Sequence, residues 1–278
     1  MGNIVWLASY PKSGNTWLRA FLANLIANRP TPVALADLPK YGALEADPEL
    51  YSKIAGRPSI ELDFDQLCAL RPQVHAAIAA AAPKTVFVKT HSMAGALDGV
   101  PLHTPQVTAG AICVVRNPLD VALSMSHHFA IGIDAAIDYL GDTRAATGNS
   151  ELFTSEFLGT WSQHVRSWAA MEGARILLLR YEDLLDNPAK GFGKVARMLG
   201  LDSDRSRIER AIRHADFQSL AGMEKRDGFV EVPTRGKHFF RAGRSNQWRE
   251  ALTRAQVNRI IADHREQMQR LRYLPAGY

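Results

Sequence analysis

Four segments of this 278-residue chain place anion-binding or proton-accepting groups just after apolar runs or within a glycine-containing loop. The first, SYPKSGNTW, covers residues 9–17 and stands between the apolar run NIVWLA and the helix-like LRAFLANLIAN. Gly14 allows a tight turn and a close backbone approach to a ligand, and the amides of Ser13 to Thr16 would open a helix, where phosphate oxygens fit. Lys12 adds a point charge, Ser13, Asn15 and Thr16 add short polar side chains, and Trp17 offers a flat face to a purine. The bland alternative is a capped strand-to-helix turn that binds nothing. The order is not the GxxxxGK[ST] of nucleoside triphosphatases.

The second segment, VFVKTHS, brings Lys89 and His91 to the end of an apolar run. A histidine there can take a proton from an acceptor hydroxyl, a role worth roughly 10²- to 10⁴-fold in rate; otherwise it is a polar surface residue. In the third, VVRNPLDVALSMSHH, Arg116 ends a run and Ser124 lies about two helical turns into the next helix. Both could reach one phosphate, with Arg116 as a forked donor, unless Asp120 neutralises Arg116 in a structural pair. His127 and His128, being adjacent, face different ways on a helix and read as ordinary helix residues, not metal ligands.

The fourth, RGKHFFRAGRSNQW, gathers Arg235, Lys237, Arg241 and Arg244 around Phe239 and Phe240. It reads as a nucleic-acid strip, a lid over one phosphorylated nucleotide, or a solvated loop. GFGK at 191–194 mimics a nucleotide motif, but Pro188 starts a helix there and no strand leads in. The arginines of the last helix alternate with acids and apolar positions, as on a solvated face.

The elements that must position these residues follow from periodicity. Residues 4–8, 85–88, 111–115 and 175–179 are apolar without period-two alternation and lead into polar turns and helical patterns, as buried parallel strands do. Helices are predicted at 16–28, 118–129, 155–171, 188–199, 205–214 and 254–271, with Pro118 and Pro188 in first turns and Gly200 at a stop. Residues 29–83, 92–110, 132–150 and 222–238 read as loops or short helices, apart from an alanine-rich helix at 76–82. The fold class is therefore α/β: a single domain over 1–278 with a central, mostly parallel sheet flanked by helices and ligand sites at strand carboxyl ends.

With 46% hydrophobic and 22% charged residues the chain can bury a full core, and its net charge of +5 admits a polyanionic partner without choosing one. Two cysteines, Cys68 and Cys113, argue against a disulfide framework or a thiolate metal site. No basic leader region and no apolar run near roughly 18 residues is present, so the expectation is a soluble cytoplasmic protein without a membrane span.

Taken together, these segments resemble the sulfotransferase family that uses PAPS (3′-phosphoadenosine 5′-phosphosulfate), over about residues 4–253. The resemblance implies that Lys12, Ser13, Gly14, Asn15, Thr16 and Trp17 hold the 5′-phosphosulfate, Asn15 standing where the family usually has threonine. It gives the 3′-phosphate to Arg116 and Ser124, and the adenine side to Tyr181 of YEDLLDNP and to Phe217. The lid pattern RKGxxGDWK falls on 241–249, so Phe240, Arg241, Ala242 and Gly243 carry over. Ala242 replaces a lysine and Gln247 an aspartate, leaving Arg244 or Lys237 to share the missing contact. His91 becomes the catalytic base, Lys89 stabilises the transferred group and Lys12 the departing phosphate. Implied too are in-line transfer to a hydroxyl of a small organic acceptor, PAP (adenosine 3′,5′-bisphosphate) as product, no metal and no nucleic-acid partner. The family's KxxxTVxxxE dimer pattern falls on 249–258 with Arg254 and Asn258 at two of its positions and is not carried over, which leaves the oligomeric state open. The rival readings are a P-loop-type nucleotide or small-molecule kinase and a basic nucleic-acid-binding protein.

Overall fold

Apolar strands without alternation need cover on both faces, and in this chain they lie side by side in one sheet. The computed structural model describes residues 3–201, 204–232 and 238–278. Numbered along the chain, its strands are β1 (Ile4–Ser9), β2 (Ala43–Leu44), β3 (Val86–Thr90), β4 (Ala96–Leu97), β5 (Val100–Pro101), β6 (Thr108–Val115) and β7 (Arg175–Arg180). The helices are α1 (Asn15–Ala27), α2 (Pro48–Ala55), α3 (Phe64–Ala81), α4 (Pro118–Phe129), α5 (Ile133–Gly141) and α6 (Trp161–Ala169). They continue as α7 (Tyr181–Asp186), α8 (Pro188–Met198), α9 (Arg205–His214), α10 (Phe217–Asp227), α11 (Trp248–Ala251) and α12 (Arg254–Arg270). The chain forms two compact units, each woven from three stretches. The first takes Met1–Tyr10, Gly42–Cys113 and Asp142–Leu178, the second Pro11–Tyr41, Val114–Gly141 and Leu179–Tyr278.

The first unit carries the sheet. Its order is β2-β3-β1-β6-β7, with the last two residues of β6 and of β7 belonging to the second unit. β1 runs parallel to β3 from Ile4↔Val86 to Ala8↔Thr90, and β2 runs parallel to the other side of β3 through Ala43↔Val88 and Leu44↔Lys89. The buried Trp6 of β1 meets His75 of α3 edge-on at 4.9 Å and His103 at 4.6 Å, and donates from Nε1 to the Thr108 hydroxyl at 2.9 Å. Trp168 of α6 closes on His103 at 4.5 Å. Within this core the fully buried Glu45 accepts from Arg71 and from the Tyr51 hydroxyl at 3.2 Å. Burial would lift the Glu45 carboxyl, but the Arg71 guanidinium and a hydrogen bond from His75 hold it well below the usual carboxylate range.

The second unit is helical. Phe21 of α1 stacks on Phe192 of α8 at 4.1 Å, and Arg207 of α9 donates from Nε to the Leu25 carbonyl at 2.6 Å, answering one of the last acceptors of α1. α4 packs on α5, α11 and α12.

The helices at 118–129 and 205–214 lie where periodicity predicts them. Three places differ. The 18-residue α3 occupies a stretch read mostly as loop; Pro72 inside it and alanines on several sides hide its periodicity. The predicted helix at 155–171 starts only at Trp161, because Thr160 and Gln163 form a capping box and the chain before it is bridged at Ala146↔Phe157. The two-residue β2 is too short to carry a pattern.

Removing one partner of a fully buried pair leaves the other uncompensated, at a cost of about 3–5 kcal/mol. Arg71→Met is therefore expected to lower the unfolding free energy by about that much in urea titration. A loss below about 1 kcal/mol, the range of an exposed pair, would contradict the role assigned to Arg71 here.

Candidate active site

The turn after β1 is strained where it matters. Lys12 has a φ of 67°, in the left-handed region that a side chain seldom adopts, and Gly14 follows at 107°. A Cβ at Gly14 would lie 2.8 Å from the Tyr181 ring, so only glycine permits both the backbone angle and the packing. Gly14 is also the N-cap of α1 and supplies no side-chain cap, leaving first-turn amides of a 13-residue helix without that partner. The buried hydroxyl of Ser13 and indole N–H of Trp17 have no hydrogen-bond partner among the described residues. Trp17 stands edge-on to Tyr181 at 5.6 Å and Phe192 at 5.2 Å, so its ring is built into the second unit.

Burial pushes the Lys12 ammonium down to about 7, with Glu231 opposing and Arg116 reinforcing the shift. Its Nζ lies 3.0 Å from Nδ1 of His128 and 4.1 Å from the centre of the Phe239 ring. Burial and the Lys12 charge bring His128 to about 4, so at neutral pH its Nδ1 accepts from the ammonium. His128 is thus more than an ordinary helix residue. The signal was its four-residue spacing from Ser124 on α4, which puts the two on one face. Glu231 accepts from Thr16 Oγ1 at 3.3 Å and from Arg19 Nη1 at 2.5 Å, so a carboxylate already sits against the turn.

Arg116 is the second anchor. Only 8% exposed, it donates to the carbonyls of Lys12 at 3.1 Å and Arg244 at 3.3 Å and lies 4.6 Å over the Tyr181 ring. Its buried Nε has no partner, and no carboxylate pairs with it among the described residues. Asp120, the alternative partner for Arg116, instead accepts from the backbone amides of Asn246 at 2.7 Å and Trp248 at 3.0 Å and so ties down the loop before α11. Burial, then the charges of Arg116 and Arg244, lower the Arg241 guanidinium, which places three cations in one neighbourhood. Gln247, where the resemblance expects aspartate, accepts from Arg241 at 2.8 Å and donates to the Arg244 carbonyl at 2.9 Å. The Arg244 side chain turns to Glu250 at 3.4 Å. Gly243 sits against Phe217, whose ring a Cβ there would meet at 2.3 Å. Phe240 is half-buried, its amide held by Glu224 at 2.9 Å, and lies 5.0 Å from the Phe239 ring. Ser124 and Ala242 are half-buried in this unit. Arg235 and Lys237 lie outside the described residues.

The first unit holds the other two predicted residues. His91 lies within hydrogen-bond distance, 2.7 Å, of the Ser9 carbonyl through Nδ1. A carbonyl only accepts, so Nδ1 carries the proton and the basic lone pair of neutral His91 lies on Nε2. Its carbonyl accepts from His164 Nε2 at 3.0 Å; burial drives His164 down to about 3 and keeps it neutral. Lys89 is 7% exposed, with its Nζ 3.6 Å from Glu156, which also accepts the His91 amide at 2.5 Å. Glu45 and Glu156 belong to no motif, and no local pattern could have revealed them. Among the described residues no group of three or more metal-ligating side chains gathers, and no helix is long and apolar enough to cross a membrane.

The second unit therefore gathers Lys12, Ser13, Gly14, Asn15, Thr16, Trp17, Arg116, Ser124, Tyr181, Phe217, Phe240, Arg241, Ala242 and Gly243, and the first unit gathers Lys89 and His91. Partnerless buried donors and surplus cations fit a ligand with two separate anionic groups, as PAPS has. Comparison with known proteins adds to this geometry. The chain is 25% identical over 279 residues to Sulfotransferase 1B1 of Mus musculus, spanning 96% of this chain and 83% of that one. In fold it resembles mouse sulfotransferase SULT7A1 complexed with PAP (TM-score 0.60, 22% identity, 96% of this chain and 84% of the other). It also resembles retinol dehydratase in complex with androsterone and inactive cofactor PAP (TM-score 0.64, 21% identity, 96% and 81%). The family model for the sulfotransferase domain matches residues 3–272, and the chain belongs to that family.

Proposed function

We propose that the protein transfers the sulfuryl group of PAPS to a hydroxyl of a small organic acceptor, working as one sulfotransferase domain over residues 1–278. The observation that carries the proposal is Arg116, a buried guanidinium whose Nε has no partner, and which has no carboxylate within ion-pair distance, among the described residues. Such a group is costly to bury without a counter-charge, and a bound phosphate supplies one. Arg116, Ser124, Arg241 and the lid backbone of Ala242 and Gly243 would hold the 3′-phosphate. Lys12, Ser13, Asn15 and Thr16 would hold the 5′ end. Tyr181, Phe217, Trp17 and Phe240 would frame the base.

When bound, PAPS supplies an activated sulfuryl group, and its passage to an acceptor oxygen releases adenosine 3′,5′-bisphosphate. His91 takes the acceptor's proton at Nε2, its lone pair aimed by the hydrogen bond at Nδ1. Lys89 presents positive charge to the sulfuryl oxygens and Lys12 to the departing phosphate oxygen. Phe129, Phe229 and Phe239 cluster with His128 near Lys12, which suits an apolar acceptor. A small molecule suits this loop better than nucleic acid, since Arg244 is paired with Glu250. Cys68 and Cys113 are both free and buried, which agrees with a reducing cytoplasm. No step proposed here calls for a metal.

Adenosine 3′,5′-bisphosphate at about 100 times its dissociation constant should add about 2.7 kcal/mol of stability, a clear thermal shift, while AMP at the same concentration adds little. Equal shifts would remove the 3′-phosphate site. His91→Ala should keep the bisphosphate shift while turnover falls by roughly 10²-fold or more; near-normal turnover would show the base misassigned.

Protonation gives a further check. Lys12 is depressed to about 7, and an anion beside it returns it toward the ordinary 10.5. Below about 7 the ammonium is already charged; between about 7 and 10.5 binding takes up a proton, so affinity falls as pH rises through that window. Calorimetry at about pH 8 in buffers of different ionisation enthalpy should find uptake approaching one proton per bisphosphate. Binding heats independent of buffer would contradict this placement of Lys12.

A further inference from the structure

Glu156 touches both residues of the first unit to which the proposed reaction gives chemical work. It is 2% exposed and its backbone is tied twice to Thr147: its amide donates to Thr147 Oγ1 at 2.8 Å and its carbonyl accepts from the Thr147 amide at 2.9 Å. The next residue, Phe157, accepts from the Met93 amide at 2.8 Å. A carboxylate on so fixed a backbone has little freedom. Oε1 takes the amide hydrogen of His91 and Oε2 faces the Lys89 ammonium. Lys89 is also 5.2 Å from the Phe153 ring, and Arg71, on the neighbouring side, donates to the Ser155 carbonyl at 2.7 Å. No other carboxylate lies within ion-pair distance of Lys89 among the described residues.

We infer that Glu156 is a positioning residue that sets the Lys89 ammonium and the His91 backbone with one carboxylate. The inference rests on the reading above that Lys89 and His91 serve sulfuryl transfer. The peptide groups around His91 are held by Glu156 at the amide and His164 at the carbonyl, while Ser9 holds the ring at Nδ1. Without Glu156 the amide of His91 loses its acceptor and Lys89 its counter-charge, so both groups drift from position together.

Glu156→Gln tests this, since it keeps shape but puts an amide where the ammonium needs an anion. The expected result is a fall in kcat of about ten- to hundredfold with acceptor KM and the bisphosphate thermal shift unchanged. In a Lys89→Met background the same substitution should cost much less, because its partner is already gone. Full kcat in E156Q, or equal losses in both backgrounds, would overturn the inference. Should E156Q fail to fold, the K89M/E156Q double variant decides: recovery of the native fold supports the pairing, and failure overturns it. An active wild type with an unimpaired E156Q sinks this inference alone; a wild type with neither transfer nor a bisphosphate shift sinks the sulfotransferase reading and this inference with it.

Discussion

A guanidinium taken out of water must be answered by negative charge or by well-aimed acceptors. Arg116 receives two carbonyls and a ring face, and its Nε finds no partner among the described residues. Much of the second unit is organised around that deficit. The left-handed Lys12 turns its carbonyl to Arg116, Asp120 spends its oxygens on lid amides, and Gln247 joins Arg241 to the backbone of Arg244. None of these contacts neutralises Arg116 or Arg241. A fold that keeps cations in place and short of anions is prepared for an anionic ligand, and preparation of this kind is where electrostatic catalysis gains its strength.

The first unit follows the opposite rule. Its interior charges are answered internally: Arg71 by Glu45, Lys89 by Glu156, with the ring of His103 3.4 Å from the Thr90 hydroxyl. Such a polar core fixes geometry more than it adds stability. Lys89 and His91, two apart, belong to one side of β3's path, while Thr90 between them turns to Glu45 and His103. That division explains why a lysine, a threonine and a histidine follow one another there.

Much of this was legible in the chain itself. Unalternating apolar runs gave the strands, Pro118 and Pro188 marked helix starts, and Gly14 with its flanking Lys12 and Ser13 located the turn. Those signals are local, arising from backbone angles, periodicity and spacing. Residues such as Glu45, Glu156 and Arg71 were not legible, because their meaning depends on partners 26 or 65 positions away. Pro72 disguised α3, and His128 gave only a four-residue spacing that acquires sense once Lys12 is seen beside it. Arg244 shows how much the fold adds to a charge read from sequence: its carbonyl accepts from Arg116 while its guanidinium faces Glu250.

The parallel register of β1 and β3 has a consequence for how such a chain can change. Ala8 lies beside Thr90, so Ser9 and His91 leave the sheet at the same level and meet there. Because neighbouring side chains of a strand point to opposite faces, a single-residue deletion in β3 ahead of Lys89 would turn Lys89 and His91 to the other face, while one in β1 would move Ser9 out of level with His91. Length in these two short strands is therefore held more tightly than composition: exchanges among Val, Ile and Leu leave the register untouched, whereas an altered count of residues parts Ser9 from His91 or turns Lys89 and His91 over.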